Sequence, residues 1–198
     1  MKIHDDVLAG LIDINSRVLD VGCGDGNLLL HLKKNKRVDG RGLELNQKDV
    51  QECLSKGLAV IEGDAEKDLI NYPDKSFDIA ILNQAIQQFY EPRKVLNELL
   101  RIADKAIVTI PNFGFWKVRL HLLFFGTMPV TKTLPHAWYN TPNLHMSSIK
   151  DFYSLCKLDN IKVIKSISIS TNKISDIKYS NLEIKNITSE LGVFVVSK

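Results

Sequence analysis

The sequence predicts a doubly wound α/β domain, and three observations carry the prediction. Short β-branched or apolar runs alternate with segments of helical periodicity from residue 17 to residue 110. The run Phe77-Asp78-Ile79-Ala80-Ile81-Leu82 is nearly unbroken in apolar character, as central parallel strands are. A glycine-rich loop follows the first strand candidate. Strands alternating with helices imply right-handed crossovers, a sheet covered on both faces, and ligand binding outside the carboxyl ends of the strands.

The elements follow in order. Residues 7–14 are partly apolar and predict a short helix that leans on the domain. Arg17-Val18-Leu19-Asp20-Val21 is a buried strand stopped by glycine, and residues 27–36 place Leu28, Leu29 and Leu32 on one side of a helix. A second strand lies within 38–45, centred on Gly42-Leu43-Glu44-Leu45, and a helix over 47–56 closes at Gly57. Residues 58–62 and 77–82 are the third and fourth strands. Pro92 opens a helix with Val95, Leu96, Leu99 and Leu100 at helical spacing, and residues 105–110 form the fifth strand, ended by Pro111.

Composition bounds the class. The chain has 198 residues, 44% hydrophobic and 25% charged, which suits a single globular domain over 1–198 and excludes a disordered tail, a collagen-like repeat or a disulfide scaffold. Lys+Arg 26 against Asp+Glu 23, with no basic block, predicts neither a nucleic-acid nor a membrane surface. Cys23, Cys53 and Cys156 are widely spaced and read as reduced thiols, with no metal-ligand set. No apolar stretch approaches a membrane span, and the acidic start is unlike a signal peptide, so the expected location is cytoplasmic.

The chemistry starts in the loop Asp20-Val21-Gly22-Cys23-Gly24-Asp25-Gly26-Asn27. Its glycines permit positive φ and let a ligand lie against the main chain. Asn27 stands where the dinucleotide fingerprint needs its third glycine, and no Lys or Arg is present to meet a phosphate, which disfavours a nucleotide-dependent reductase. A ligand with an amino group or positive centre suits Asp20 better. Glu44 ends the second strand, where an acidic side chain can accept from both hydroxyls of a ribose. Asp64, after the third strand, suits an adenine amino group, but taken alone it reads better as an Asx turn or the N-cap of the next helix.

As a set, Val18-Leu19-Asp20-Val21-Gly22-Cys23-Gly24-Asp25-Gly26, Glu44, Gly63-Asp64 and Phe77-Asp78 resemble class I S-adenosylmethionine-dependent methyltransferases. The resemblance implies an adenosine held by Glu44, Leu45, Asp64 and Ala65. It also implies a methionine moiety along Asp20, Gly22, Cys23 and Gly24, with Asn83 closing the pocket. The fold it implies is a seven-stranded, mostly parallel sheet ending in an antiparallel C-terminal hairpin, with residues 161–164 and 192–196 as candidates for that hairpin.

Residues 112–146 change character and read as an aromatic and Pro-rich cap over the sheet's carboxyl edge, a usual place for substrate selection. Trp116, Leu120, Leu123 and Phe124 share a helical stripe over 116–125. Phe113, Phe115 and Leu123 are expected to finish the core, whereas Trp138, Tyr139 and His145 suggest substrate contacts. Pro111-Asn112-Phe113-Gly114, Trp138-Tyr139-Asn140-Thr141-Pro142-Asn143 and Asn83-Gln84-Ala85-Ile86-Gln87 closely resemble the methionine-biosynthesis MetW family. That resemblance implies a role beside homoserine O-acetyltransferase. Residues 160–190 match no pattern and are expected to be locally mobile.

Two functions remain open. One is methyl transfer from S-adenosylmethionine to a small metabolite. The other is a non-catalytic partner that binds S-adenosylmethionine or S-adenosylhomocysteine and activates the acyltransferase. Gln87-Gln88 occupy the register where many small-molecule methyltransferases of this fold carry a Glu-His pair, and neither amide can take a proton. His145, His136 and His121 remain as possible bases, with His145 the candidate singled out.

Overall fold

A computed structural model describes residues 2–131, 133–170 and 173–198. The first half alternates as expected: α1 (Lys2–Gly10), β1 (Arg17–Val21), α2 (Asn27–Lys36), β2 (Asp39–Glu44), α3 (Gln47–Ser55), β3 (Ala59–Glu62), α4 (Ala65–Asp68) and β4 (Phe77–Asn83). The second half continues with α5 (Pro92–Ile102), β5 (Ala103–Pro111), α6 (Trp116–Phe125), α7 (Ile149–Leu158), β6 (Lys162–Ser170), β7 (Lys173–Asp176), α8 (Leu182–Thr188) and β8 (Leu191–Ser197). The sheet order is β3-β2-β1-β4-β5-β8-β6-β7. Strands β1 to β5 pair in parallel, and β8 runs antiparallel between β5 and β6.

The period-two alternation of each strand feeds two cores. Leu19, Val21, Leu82 and Phe194 face one side, where Leu96 and Leu99 of α5 cover them. Val18, Ile79, Ile81 and Val193 face the other, against Leu8, Ile12 and Leu32. Both faces of β1 and β4 are therefore dry, which is why their sequences lack polar alternation. The crossing from β1 to β4 leaves the carboxyl ends of β1, β2 and β4 together at one edge.

Several expectations shift. The first helix is α1, ending at Gly10 rather than spanning 7–14, and Ile12 packs from the following turn. The sheet has eight strands rather than seven. The added β7 is a short, exposed edge strand whose Lys-Ile-Ser-Asp sequence carries no apolar signal. Residues 160–190, expected to be locally mobile, hold β6, β7 and α8. Among the described residues no helix is long and apolar enough to cross a membrane.

The cap is pinned at its two ends by Asn112. This buried side chain accepts from Gly114 N (2.9 Å) and Ile149 N (3.3 Å), and its Nδ2 donates to Asn186 O (2.8 Å) and Ser189 O (2.7 Å). All four hydrogen-bonding positions of the amide are satisfied. Phe115 is buried and Phe113 half-buried, as expected of core-finishing residues. Leu123 is not: it is 74% exposed, because α6 rests on Val118 and turns its apolar stripe outward.

Candidate functional site

β1 leaves the sheet at Gly22, whose N–H donates to Leu43 O across β2 (2.8 Å). Gly22 has φ +68°, and a Cβ there would press on the Ala85 Cβ at 3.1 Å, so the turn needs glycine. Gly24 has φ +53° and open space where a Cβ would stand. The Glu44 carboxylate reaches back over this turn. Its Oε2 accepts from Gly24 N (2.8 Å) and its Oε1 from Asn46 N (2.9 Å). Each oxygen keeps a second lone pair for a ligand hydroxyl.

Beside this turn opens a cleft of about 380 Å³ at the carboxyl edge of the sheet. Of the predicted site residues, Gly22, Gly24, Glu44, Leu45, Asp64, Ala65 and Asn83 line it. Asp64 also caps α4, its Oδ1 accepting from Glu66 N (3.0 Å), while Lys67 lies 2.7 Å from its Oδ2. That lysine holds the Asp64 carboxyl below its ordinary range. The N-cap reading of Asp64 is the one these contacts show. Asn83 is fixed by Thr109, whose hydroxyl donates to Asn83 Oδ1 (2.9 Å) and accepts from Gln84 N (2.7 Å).

Asp20 lies at the carboxyl end of β1, 1% exposed, and its Oδ1 has no hydrogen-bond partner. Burial, aided by the neighbouring Glu44 charge, pushes its carboxyl up to about 8. An orphaned buried carboxylate oxygen is costly unless a donor or positive group arrives. The Cys23 side chain points away from the turn. Its Sγ is buried with Cys53, Leu29 and Leu58 and stands 2.6 Å from where a Cβ on Gly42 would lie. Burial raises the thiol, and only the main chain of Cys23 is left for a ligand.

The structure does not bring the cap candidates to the cleft. His145 is exposed, its main chain donating to Gln87 O (3.0 Å), and it lines a separate pocket of about 140 Å³ with Gln87, Ile110 and Phe152. Trp138 and Tyr139 are each 74% exposed and stack edge-to-face at 5.8 Å. Trp138 borders a third pocket inside the cap. Sequence reasoning missed Asp49, Gln84 and Tyr90, which also line the cleft. The signal for Gln84 was its place directly after the fourth strand. It adopts φ 55°, a left-handed conformation unusual for a non-glycine residue and typical of sites under functional constraint.

The strand order with its inserted antiparallel strand, the glycine turn and the acid on the neighbouring strand define the class: a Rossmann-like fold of the methyltransferase type. Residues superpose over 99% of this chain and 88% of a SAM-dependent methyltransferase of Thermotoga maritima, a possible histamine N-methyltransferase, with a TM-score of 0.71 and 16% identity. That likeness speaks for the fold. The family model for methionine biosynthesis protein MetW matches residues 4–196, and the chain belongs to that family. It is 29% identical over 176 residues to the bifunctional methionine biosynthesis protein MetXA/MetW of Rhodopirellula baltica, covering 84% of this chain and 28% of that protein. It is 30% identical over 101 residues to ajmaline N-methyltransferase of Rauvolfia serpentina, covering 47% of this chain and 34% of that enzyme. The chain thus spans about a third or less of the length of these two relatives.

Proposed function

We propose that the cleft binds S-adenosylmethionine or S-adenosylhomocysteine, and that the protein acts in methionine biosynthesis as a ligand-responsive partner of homoserine O-acetyltransferase. The observation that carries the binding is the pairing of a phosphate-free glycine turn with two acids, Asp20 and Glu44, one of them an orphaned buried carboxylate. The residues present fit the ligand. Glu44 would take the ribose hydroxyls, Asp64 and Ala65 the adenine, and the Gly22–Gly24 main chain the amino-acid portion. Asp20, buried behind the turn and protonated near neutral pH in the empty cleft, would accept from the amino group or face the sulfonium by giving up its proton when that positive group arrives. When bound, S-adenosylmethionine supplies a methyl carbon made electrophilic by its sulfonium.

Two observations favour the partner reading over methyl transfer. The polar groups at the Asn83 end of the cleft include the amides of Asn83, Gln84 and Gln88, which orient a ligand but accept no proton. The Rhodopirellula relative is named for MetXA and MetW functions in one chain, which supports physical association of the two activities. A bound nucleoside shifts a partner only through differential affinity for two states, so regulation by it requires that acyltransferase binding and ligand binding be coupled.

Methyl transfer to a small metabolite is the second reading. The constrained left-handed Gln84, beside Asn83 in the cleft, favours it. Incubating the protein with methyl-labelled S-adenosylmethionine and homoserine-pathway metabolites, with and without the acyltransferase, separates the two. The partner reading predicts binding without label transfer and an acylation rate that changes when the protein is added. Label transfer by the protein alone would refute it.

A further inference from the structure

We propose that the outward face of the cap is a docking surface for a partner protein whose contact region is an apolar groove rimmed by carboxylates. The inference rests on the partner reading for the choice of acyltransferase, and adds where it docks. At about 100° per residue, Trp116, Leu120, Leu123 and Phe124 of α6 fall within an arc of roughly 100°. All four are exposed, Leu123 and Phe124 at 74% and 72%. Soluble monomers rarely leave so contiguous an apolar stripe in water.

The stripe is held in place rather than loose. Val118 seats the helix on Phe115 and Leu134. The Arg119 guanidinium donates to Gly114 O (2.6 Å), and Gly126, at φ 64°, ends the helix with its N–H on Leu122 O (3.0 Å). A rigid anchor loses little entropy on binding. Next to it, sharing Phe113 and Leu134 with that small core, lies a pocket of about 190 Å³ bordered by Met128, Trp138 and Met146. Methionine-lined hollows adapt to an inserted side chain.

Charge selects among occupants. From Lys105 to Lys150 the sequence contains no Asp or Glu. Lys117 and Arg119 flank the apolar stripe on its two sides. Lys117 lies over the Trp116 ring at 5.6 Å, and neither has a carboxylate partner among the described residues. A second copy docking by the same face would set cation against cation, which disfavours a symmetric dimer. A lipid surface needs no preformed hollow, and this one is edged by the polar side chains of His136, Thr141 and Asn143. A protein groove with acidic edges satisfies the stripe, the hollow and the cations together.

The test uses the full chain and purified homoserine O-acetyltransferase as the probe, by calorimetry at two salt concentrations. Leu123→Glu is expected to weaken binding at least tenfold, and Arg119→Glu several-fold with a smaller salt dependence. Leu54→Glu, the same change at an exposed leucine on α3, is expected to leave affinity unchanged. Each variant is also checked for S-adenosylhomocysteine binding, which none should lose. Wild-type binding that Leu123→Glu leaves intact overturns the surface while the partner reading stands. No wild-type binding overturns that reading and the proposal with it. A wild-type dimer or vesicle binding that Leu123→Glu abolishes reassigns the face and likewise overturns the proposal.

Discussion

Replacing Asp20 by Asn should stabilise the protein at neutral and alkaline pH, and the size of the gain follows from the structure. The buried carboxyl titrates near 8 in the folded chain against an ordinary value of 3.8. Between those values the folded state holds a proton that the unfolded state has lost. Stability from this group is therefore complete below pH 3.8 and falls as pH rises through 8. At about 1.4 kcal/mol per pH unit, the loss at pH 7 is of order 4 kcal/mol before the structure relaxes. Asn keeps the shape and carries no charge, so it escapes this loss. Allowing for an imperfectly bonded amide, about 2 kcal/mol should remain, or a rise in melting temperature of roughly 4–8 °C for a domain of this size. Thermal melts from pH 5 to 9 would show the two proteins close together at pH 5, separating as pH rises towards 8, and keeping a constant gap above it. Equal pH slopes for both, or a variant less stable at pH 8, would refute the reasoning.

Three further outcomes follow from named contacts. Glu44→Gln leaves one carbonyl oxygen where two carboxylate oxygens now serve Gly24 N and Asn46 N, so S-adenosylhomocysteine affinity should fall tenfold or more by calorimetry while the fold persists. Gly42→Ala would place a Cβ 2.6 Å from the Cys23 Sγ and 2.9 Å from Val60, costing about 1–3 kcal/mol in urea unfolding with an unchanged slope. Asn112→Ala strands two main-chain donors and two carbonyls, so it should cost about 3 kcal/mol or more and speed proteolysis between residues 112 and 148.

Much of the sheet was legible because its central strands are dry on both faces. β1, α2, α5 and α6 begin and end where their sequences say, and Glu44 ends β2 as its sequence says. What escaped reading has physical causes. β7 is an edge strand, half exposed and polar, so its pairing with β6 is written in main-chain hydrogen bonds rather than in side chains. The side to which Cys23 turns is set by the missing side chain at Gly42 on the adjacent strand, a contact across the sheet that no local pattern records. The α6 stripe has the periodicity of a helix that covers a core. Periodicity gives the face but not what lies against it, and here the face looks out. His145 was selected for its chemistry alone, and the hydrogen bonds of residues 144 and 145 to Gln87 O carry it to a different pocket.

Titrating S-adenosylhomocysteine into the purified protein, with NADH run in parallel, probes the acid-lined glycine turn without assuming any reaction. One molecule bound per chain, with no heat from the dinucleotide, is the predicted result. Binding of NADH instead, or of neither, would contradict it.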